Sequence, residues 1–220
     1  MSAADHDEHR ATRILARRDK VLRHLIKRVG PCRLQERRRD DPFQSLLSAI
    51  ISQQVSTKAA RAIHGRVIKL FPRVAHPSPR QVLRKSDDAL RKAGLSAAKV
   101  LALKDLATRI LDGTVPSVRE LDEMDDEEII ERIVQVRGVG RWTVEMLLIF
   151  QLGRRDVFPV GDLGVRKGYM LAFGETEMPE PKRLWEIGEI WRPYRSVASW
   201  YLWRATDSVP ELLEDHKLRK

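Results

Sequence analysis

Apolar residues recur along most of the chain at the spacing of one helical face, roughly every three to four positions. Convincing runs that alternate apolar and polar residues, as half-buried strands do, are absent from the sequence. No repeat of fixed period and no low-complexity tract is present either. The pattern therefore predicts an all-α protein.

The first predicted helix is basic and runs from Arg10 to Val29. The segments "GPCRL" and "ERRRDD" after it are predicted to form a linker. Asp41 and Pro42 then provide an N-cap and a first-turn proline for a helix that runs to about Gln53. Its apolar face is expected to bury Phe43, Leu46, Leu47, Ile50 and Ile51.

Serine caps predict several further helices in the middle of the chain. Ser56 is expected to begin a helix that ends before Pro72, and Gly94 and Gly113 to end two shorter ones. Asp125 begins a helix with acidic residues in its first turn, which favours the positive end of the helix dipole. The other predicted caps are Ser78, Ser86, Ser96 and Ser117.

Two helical lobes are predicted, one over residues 42–150 and the other formed by residues 1–41 and 151–220. Glycine and proline concentrate at 153–164 and 174–181, so these segments are predicted to be loops beside a cleft. Four tryptophans lie in the C-terminal region, at Trp185, Trp191, Trp200 and Trp203.

Charge and cysteine content narrow the class of protein. Lysine and arginine number 41 against 31 aspartates and glutamates, a net charge of +10. Such an excess favours nucleic acid as a partner, although it also serves solubility alone. The single cysteine, Cys32, excludes an intramolecular disulfide and a four-cysteine zinc or iron–sulfur site. With no apolar run of membrane length and a polar N-terminus, the sequence favours a cytoplasmic protein without membrane association.

The stretch "VRGVGRW" places Gly138 and Gly140 between two amphipathic helices. Glycine permits a tight turn that exposes backbone N–H groups, and the N-terminus of the next helix, Arg141 to Gln151, attracts anions. A DNA phosphate would fit such a site. The alternative interpretation is a tight helix–helix turn without a ligand.

Three longer segments extend this observation. "VRGVGRWTVEMLLIF", "RRDVFPVGDLGV" and "SAIISQQVSTKAARAIHGRV" resemble, in order, the hairpin, the loop with its aspartate, and the wedge-bearing segment of one family. This is the helix-hairpin-helix Gly/Pro-Asp DNA glycosylase superfamily. "WRPYRSVASWYLW" makes the chain most similar to the DNA-3-methyladenine glycosylase II group, and the likeness runs from about Asp41 to Ala205.

The resemblance implies a monofunctional DNA glycosylase of base excision repair with a two-lobe helix-hairpin-helix fold. It would hydrolyse the N-glycosidic bond of alkylated purines such as 3-methyladenine in double-stranded DNA that contains damaged bases. We expect a monomer, associated with the nucleoid. Only about 40 residues precede Asp41, so the N-terminal β domain of some relatives is expected to be absent.

Asp162, 20 positions after Trp142, is the expected catalytic residue. Breaking the glycosidic bond builds positive charge at C1′, and a fixed carboxylate stabilises that charge or positions the attacking water. The alternative is that Asp162 only caps a helix, and both roles are compatible.

Trp142 occupies the position at which lyase-competent relatives such as endonuclease III carry a nucleophilic lysine. An indole cannot form a Schiff base, which implies hydrolysis without strand cleavage. Trp142 and Trp203 are expected to line the pocket for the extruded base, where a cationic purine gains cation–π attraction. Core packing is the alternative for either ring. A bifunctional glycosylase and lyase that uses another amine, such as Lys167, stays open.

Gln54, in "SQQVS", matches the wedge, the residue that relatives push into the gap left by the extruded base, so the turn that carries it is called the wedge turn. The alternative is that Gln53 and Gln54 merely link two helices. No cofactor is expected to be required, and no iron–sulfur cluster. The resemblance also points to a structural Na⁺ or K⁺ held by the carbonyls of Val134, Val136 and Val139. The remaining expected DNA contacts are Arg137, Gly138, Val139, Gly140, Arg141 and Thr143.

One alternative from another class is a DNA-binding module without enzymatic activity, in which the hairpin only contacts phosphates. Among damaged bases, the sequence does not distinguish 3-methyladenine, 7-methylguanine, 1-methyladenine, ethenoadenine and hypoxanthine.

Overall fold

The structure, a computed structural model, describes residues 3–34, 41–72 and 74–207. The prediction of an all-α protein is confirmed, since these residues form α-helices and one short 3₁₀ helix and no strand. The 3₁₀ helix is Glu189–Trp191. The α-helices are α1 (Ala3–Arg18), α2 (Lys20–Val29), α3 (Pro42–Ser52), α4 (Thr57–Lys69), α5 (Pro79–Arg84), α6 (Asp87–Lys92), α7 (Ala97–Leu111), α8 (Val118–Glu123), α9 (Asp126–Ile133), α10 (Arg141–Phe150), α11 (Leu163–Phe173), α12 (Pro181–Gly188) and α13 (Arg195–Asp207).

The predicted serine caps are confirmed from α4 to α8. The Ser56 hydroxyl accepts a hydrogen bond from the N–H of Ala59, and Ser78 and Ser117 form complete capping boxes with Gln81 and Glu120. Ser86 and Ser96 cap the other two helices of this group. Each cap satisfies an N–H group that has no partner within the helix, which explains why these boundaries are readable from sequence.

The prediction of one helix from Arg10 to Val29 is wrong, because the chain breaks at Asp19. The Asp19 carboxylate caps α2 by accepting from the N–H groups of Val21 and Leu22, at 2.8 and 3.0 Å. Its second oxygen accepts from the indole of buried Trp191, 2.9 Å away. A partner 172 residues distant in sequence therefore fixes this break. Residues 36–40 of the predicted linker lie outside the described residues.

The helices form two compact units. The middle unit contains residues 41–147, and α3 packs against α7 at its core. The terminal unit contains the described residues up to 34 and from 148 to 207, with α11 packed closely against α13. A Cβ atom on Gly168 of α11 would lie 1.9 Å from the carbonyl oxygen of Leu202, so this approach requires glycine.

Within these described ranges, no helix is long and apolar enough to cross a membrane.

We expect Asp19→Ala to lower the free energy of unfolding by about 2–4 kcal/mol, because it removes a cap and leaves the buried indole N–H of Trp191 without an acceptor. Urea unfolding measures the change. Ser86→Ala, which removes only an exposed cap, should cost about 1 kcal/mol. Equal losses in the two variants would show that the Trp191 hydrogen bond contributes nothing.

Candidate functional site

The hairpin predicted from sequence lies between α9 and α10 in the middle unit. Val136 and Val139 are buried, and the N–H of Val139 donates to the carbonyl of Val136 at 3.0 Å. Gly138 has φ of +74°, which a side chain would strain. The carbonyl of Gly140 accepts from the N–H groups of Thr143 and Val144 and so begins α10. The backbone of the turn at Gly138 and Gly140 is thus exposed to solvent, while the buried side chains of Val136 and Val139 hold the turn against the core.

Three backbone N–H groups of this turn have no acceptor in the part of the chain that the structure describes. None of the described residues accepts a hydrogen bond from the N–H of Gly138, Gly140 or Arg141. Donors at the start of a helix, together with the helix dipole, form a site for an anion. The geometry therefore suits a phosphate oxygen.

The side chains expected to contact DNA differ in their surroundings. The Arg141 guanidinium lies 2.5 Å from Glu127 and 3.1 Å from Glu145, and the hydrogen bond to Glu127 raises its pKa above the usual value. Thr143 is buried. Arg137 is exposed, and no described carboxylate forms an ion pair with its guanidinium. The predicted phosphate contact by a side chain is thus best placed at Arg137 and stays a prediction.

Gln54 lies in the turn between α3 and α4. It is exposed and adopts φ of +56°, which is uncommon for a residue other than glycine. The neighbouring Gln53 donates from Nε2 to the carbonyl of Gly138, 2.9 Å away. The structure therefore joins the predicted wedge turn directly to the hairpin.

Asp162 caps α11 and accepts two hydrogen bonds at the same oxygen. Oδ1 receives the N–H of Val165 at 2.7 Å and the indole Nε1–H of Trp203 at 2.8 Å. The Trp203 ring stacks on Phe150, with centroids 5.6 Å apart. Asp162 is buried, with 9% of the residue exposed, and these contacts fix the orientation of its carboxylate.

The bond from Trp203 to Asp162 was not predicted, since the sequence indicated a pocket wall or core packing for Trp203. The one local signal was Gly164, an unfavourable residue for a helix. A Cβ there would lie 2.8 Å from Cδ1 of Trp203 and 3.1 Å from Oδ1 of Asp162. The glycine therefore makes room for the contact between the ring and the carboxylate.

The other predicted site residues divide between the units. Trp142 is half exposed at the start of α10, in the middle unit with the hairpin. Asp162 and Trp203 are together in the terminal unit. Val134, Val136 and Val139 lie in the hairpin, where the Val136 carbonyl already accepts one hydrogen bond and retains a lone pair. A cation at these carbonyls stays a prediction. Among the described side chains, no cluster of three or more His, Cys, Asp or Glu residues could hold a metal ion.

Known proteins resemble the chain over most of its length. A model for the HhH-GPD superfamily of base excision DNA repair proteins matches residues 47–193. The DNA-3-methyladenine glycosylase 1 of Schizosaccharomyces pombe is 37% identical over 191 residues, covering 86% of this chain and 83% of that protein. A solved S. pombe 3-methyladenine DNA glycosylase in complex with abasic DNA gives a TM-score of 0.81 at 35% identity, covering 90% of this chain and 97% of the other. A DNA-3-methyladenine glycosidase structure from Bacillus halodurans also gives 0.81, at 38% identity, covering 90% and 89%.

Gly164→Ala tests the close contact around Asp162. Alanine usually stabilises a helix over glycine, by up to about 1 kcal/mol in a helix interior, and Gly164 lies in the first turn of α11. We expect the opposite sign here, because the new methyl group must displace Trp203 or Asp162. Urea unfolding followed by tryptophan fluorescence measures the change.

The matched control is Gly161→Ala, since no described atom lies within 4 Å of a Cβ at Gly161. Gly161→Ala should leave stability nearly unchanged. A Gly164→Ala variant as stable as this control would contradict the steric account.

Proposed function

The chain belongs to the HhH-GPD superfamily of base excision DNA repair proteins, and we propose that it is a monofunctional DNA glycosylase. Its proposed reaction is hydrolysis of the N-glycosidic bond of alkylated purines such as 3-methyladenine in double-stranded DNA. The names of the S. pombe and B. halodurans proteins support this substrate class. The observation that carries the proposed reaction is the hydrogen-bonded carboxylate of Asp162.

Asp162 supplies the negative charge that the reaction needs. As the bond to the base breaks, positive charge develops on the sugar at C1′, and a fixed carboxylate stabilises it without reorienting. Val165 and Trp203 both donate to Oδ1 and so hold the group in one orientation. The carboxylate also serves to position the attacking water.

Alkylation of the purine makes the base a better leaving group. A 3-methylated or 7-methylated purine is cationic and departs as a neutral molecule, so protonation by a strong general acid is not required. The half-exposed indole of Trp142 suits stacking and cation–π contact with such a base. Since Trp142 replaces the nucleophilic lysine of the lyases, the proposed product is an intact strand with an abasic site.

DNA is the proposed partner, and the S. pombe structure, which contains abasic DNA, supports this proposal. The N–H groups of Gly138, Gly140 and Arg141, which have no acceptor among the described residues, would bind a phosphate, and Gln54 would fill the gap left by the extruded base. The reaction requires no resident cofactor. A monovalent cation at the carbonyls of Val134, Val136 and Val139 would stabilise the turn, and no catalytic step depends on it. The protein is proposed to act as a monomer in the cytoplasm, at the nucleoid.

Asp162→Asn should slow base release by about a hundredfold or more, because it removes the charge that stabilises the transition state. DNA affinity should stay nearly unchanged, since phosphate contacts lie elsewhere. Single-lesion duplexes for each candidate base, assayed for free base and then treated with hot alkali, measure the reaction. Asp207→Asn, which removes an exposed charge from the same unit, is the control, and equal turnover by Asp162→Asn would defeat the assignment.

The same duplexes separate the two alternative functions. Gel-shift binding without release of any damaged base by the unaltered protein would identify a binding module. A covalent adduct trapped by borohydride would identify a lyase, with Lys167 as the candidate amine. We expect base release and no adduct.

Trp203→Phe keeps an aromatic wall but removes the N–H that holds Asp162. A hydrogen bond to a charged group contributes about 1.5–3 kcal/mol, so base release should slow by about tenfold or more. The control is Trp200→Phe on the same helix, whose ring packs edge-on against Tyr201. Unchanged turnover by Trp203→Phe would assign Trp203 to stacking alone.

A further inference from the structure

One face of α7 contacts both turns that the proposed function assigns to DNA. Lys99, Ala102 and Asp105 are spaced three residues apart, so they share this face. Lys99 contacts the wedge turn, and the other two contact the hairpin.

At the wedge turn, Lys99 replaces the hydrogen bonds that α3 loses where it ends. Its Nζ donates to the carbonyls of Ile51 and Gln53, each 2.7 Å away. The last carbonyls of a helix lack donors within the helix, and a cation there also complements the helix dipole. Lys99 thus fixes where α3 stops, directly before the strained backbone of Gln54.

At the hairpin, α7 acts through a carboxylate and a methyl group. Oδ2 of Asp105 accepts the backbone N–H of Arg137 at 2.7 Å, and Arg109 Nε orients the same oxygen from 3.0 Å. Ala102 is buried, and a Cβ on Gly138 would lie 3.7 Å from its methyl carbon. The hairpin backbone therefore packs against α7.

The two turns also contact each other, since Gln53 Nε2 donates to the Gly138 carbonyl. Gln53 therefore belongs to both halves of the arrangement, because its carbonyl accepts from Lys99 and its amide holds the hairpin. The positive φ of Gln54 is an uncommon conformation, which persists only where the surrounding structure holds it. The contacts of Lys99 and Gln53 provide that constraint.

We propose that α7 sets the spacing between the hairpin, which would bind a phosphate, and Gln54, which would enter the duplex. Lys99, Asp105 and Gln53 are then positioning residues for base extrusion. This inference rests on the proposed function. Extrusion requires the wedge to enter the duplex while the hairpin holds the backbone, so an error of about 1 Å in their spacing slows the reaction strongly. A base that is already unpaired needs little help from the wedge.

The test compares one lesion in two contexts. In the first it is paired normally, and in the second it lies opposite an abasic analogue, which removes the pairing. Lys99→Met should slow single-turnover base release from the paired duplex by about tenfold, and from the unpaired duplex by less than about twofold. Lys99→Arg, which keeps donors for both carbonyls, should restore the paired rate.

The matched control is Lys104→Met. It removes the same kind of charge from the same helix, where Lys104 forms an ion pair with Asp87, and should leave the ratio of the two rates unchanged. Gln53→Met is the independent variant if Lys99→Met does not fold, since it removes only the amide bond to Gly138. It should change the ratio in the same direction. Equal slowing of both duplexes, or slowing of neither, would overturn the inference.

A fluorescence readout separates this inference from the proposed reaction. 2-Aminopurine beside the lesion brightens when the base unstacks, whether or not the bond breaks. If the unaltered protein unstacks the base but releases none, the proposed function fails, and the variants' fluorescence amplitudes still decide the role of α7. If the unaltered protein produces no unstacking, the inference itself is overturned.

Discussion

The hydrogen bonds from the N–H of Val165 and the indole of Trp203 to Asp162 constrain the terminal unit around the proposed reaction centre. A carboxylate stabilises a developing cation efficiently only if its orientation is fixed beforehand. That requirement brings the first turn of α11 and the side of α13 into contact. This contact requires glycine at two positions of α11. A methyl group at Gly164 would enter Trp203, and one at Gly168 would enter the Leu202 backbone. Residues that are poor for a helix are thus necessary for the site.

In the middle unit, the groups whose orientation must be fixed belong to the backbone rather than to a charged side chain. One of its turns is the glycine-rich hairpin, and the other contains Gln54 with a positive φ. Isolated peptides rarely hold such backbone conformations. Here α7 holds both, through Lys99 at one turn and Asp105 at the other. A rigid helix places groups more accurately than a loop, because packing limits its motion. The turns can therefore be irregular and still well placed.

Local chemistry explains which features the sequence predicted. The helix starts at Asp41, Ser56 and Ser78 were predictable because a cap and its N–H partner lie within three residues. The hairpin was predictable for the same reason, since glycine spacing and helix periodicity are local. Asp162 was predicted to be catalytic because its surroundings resemble a known motif. Its function as a helix cap depends on local contacts as well.

Contacts between distant residues explain what the sequence did not predict. Trp203 lies 41 residues from Asp162, and Asp105 lies 32 residues from Arg137. Periodicity cannot show which buried indole meets which carboxylate, because that depends on how helices pack. The break at Asp19 has both kinds of contact: its cap bonds to Val21 and Leu22 are local and were overlooked, while the contact of its second oxygen with Trp191 is distant.

Charge and hairpin geometry contribute to DNA binding in different ways. Arg141 forms ion pairs with Glu127 and Glu145, so the proposed phosphate contact of the hairpin depends mainly on backbone N–H groups. The excess positive charge of the chain includes exposed residues of the first two helices, namely Arg10, Arg13, Arg17, Arg18, Lys20, Arg23 and Lys27. Such charges attract DNA over a distance of about 8 Å at physiological ionic strength, and salt screens them. The N–H groups act only at contact, and the fold fixes their directions. In the proposed function, long-range attraction of DNA and its positioning at contact thus depend on different residues, so the surface charge can vary without moving Gln54 or the hairpin.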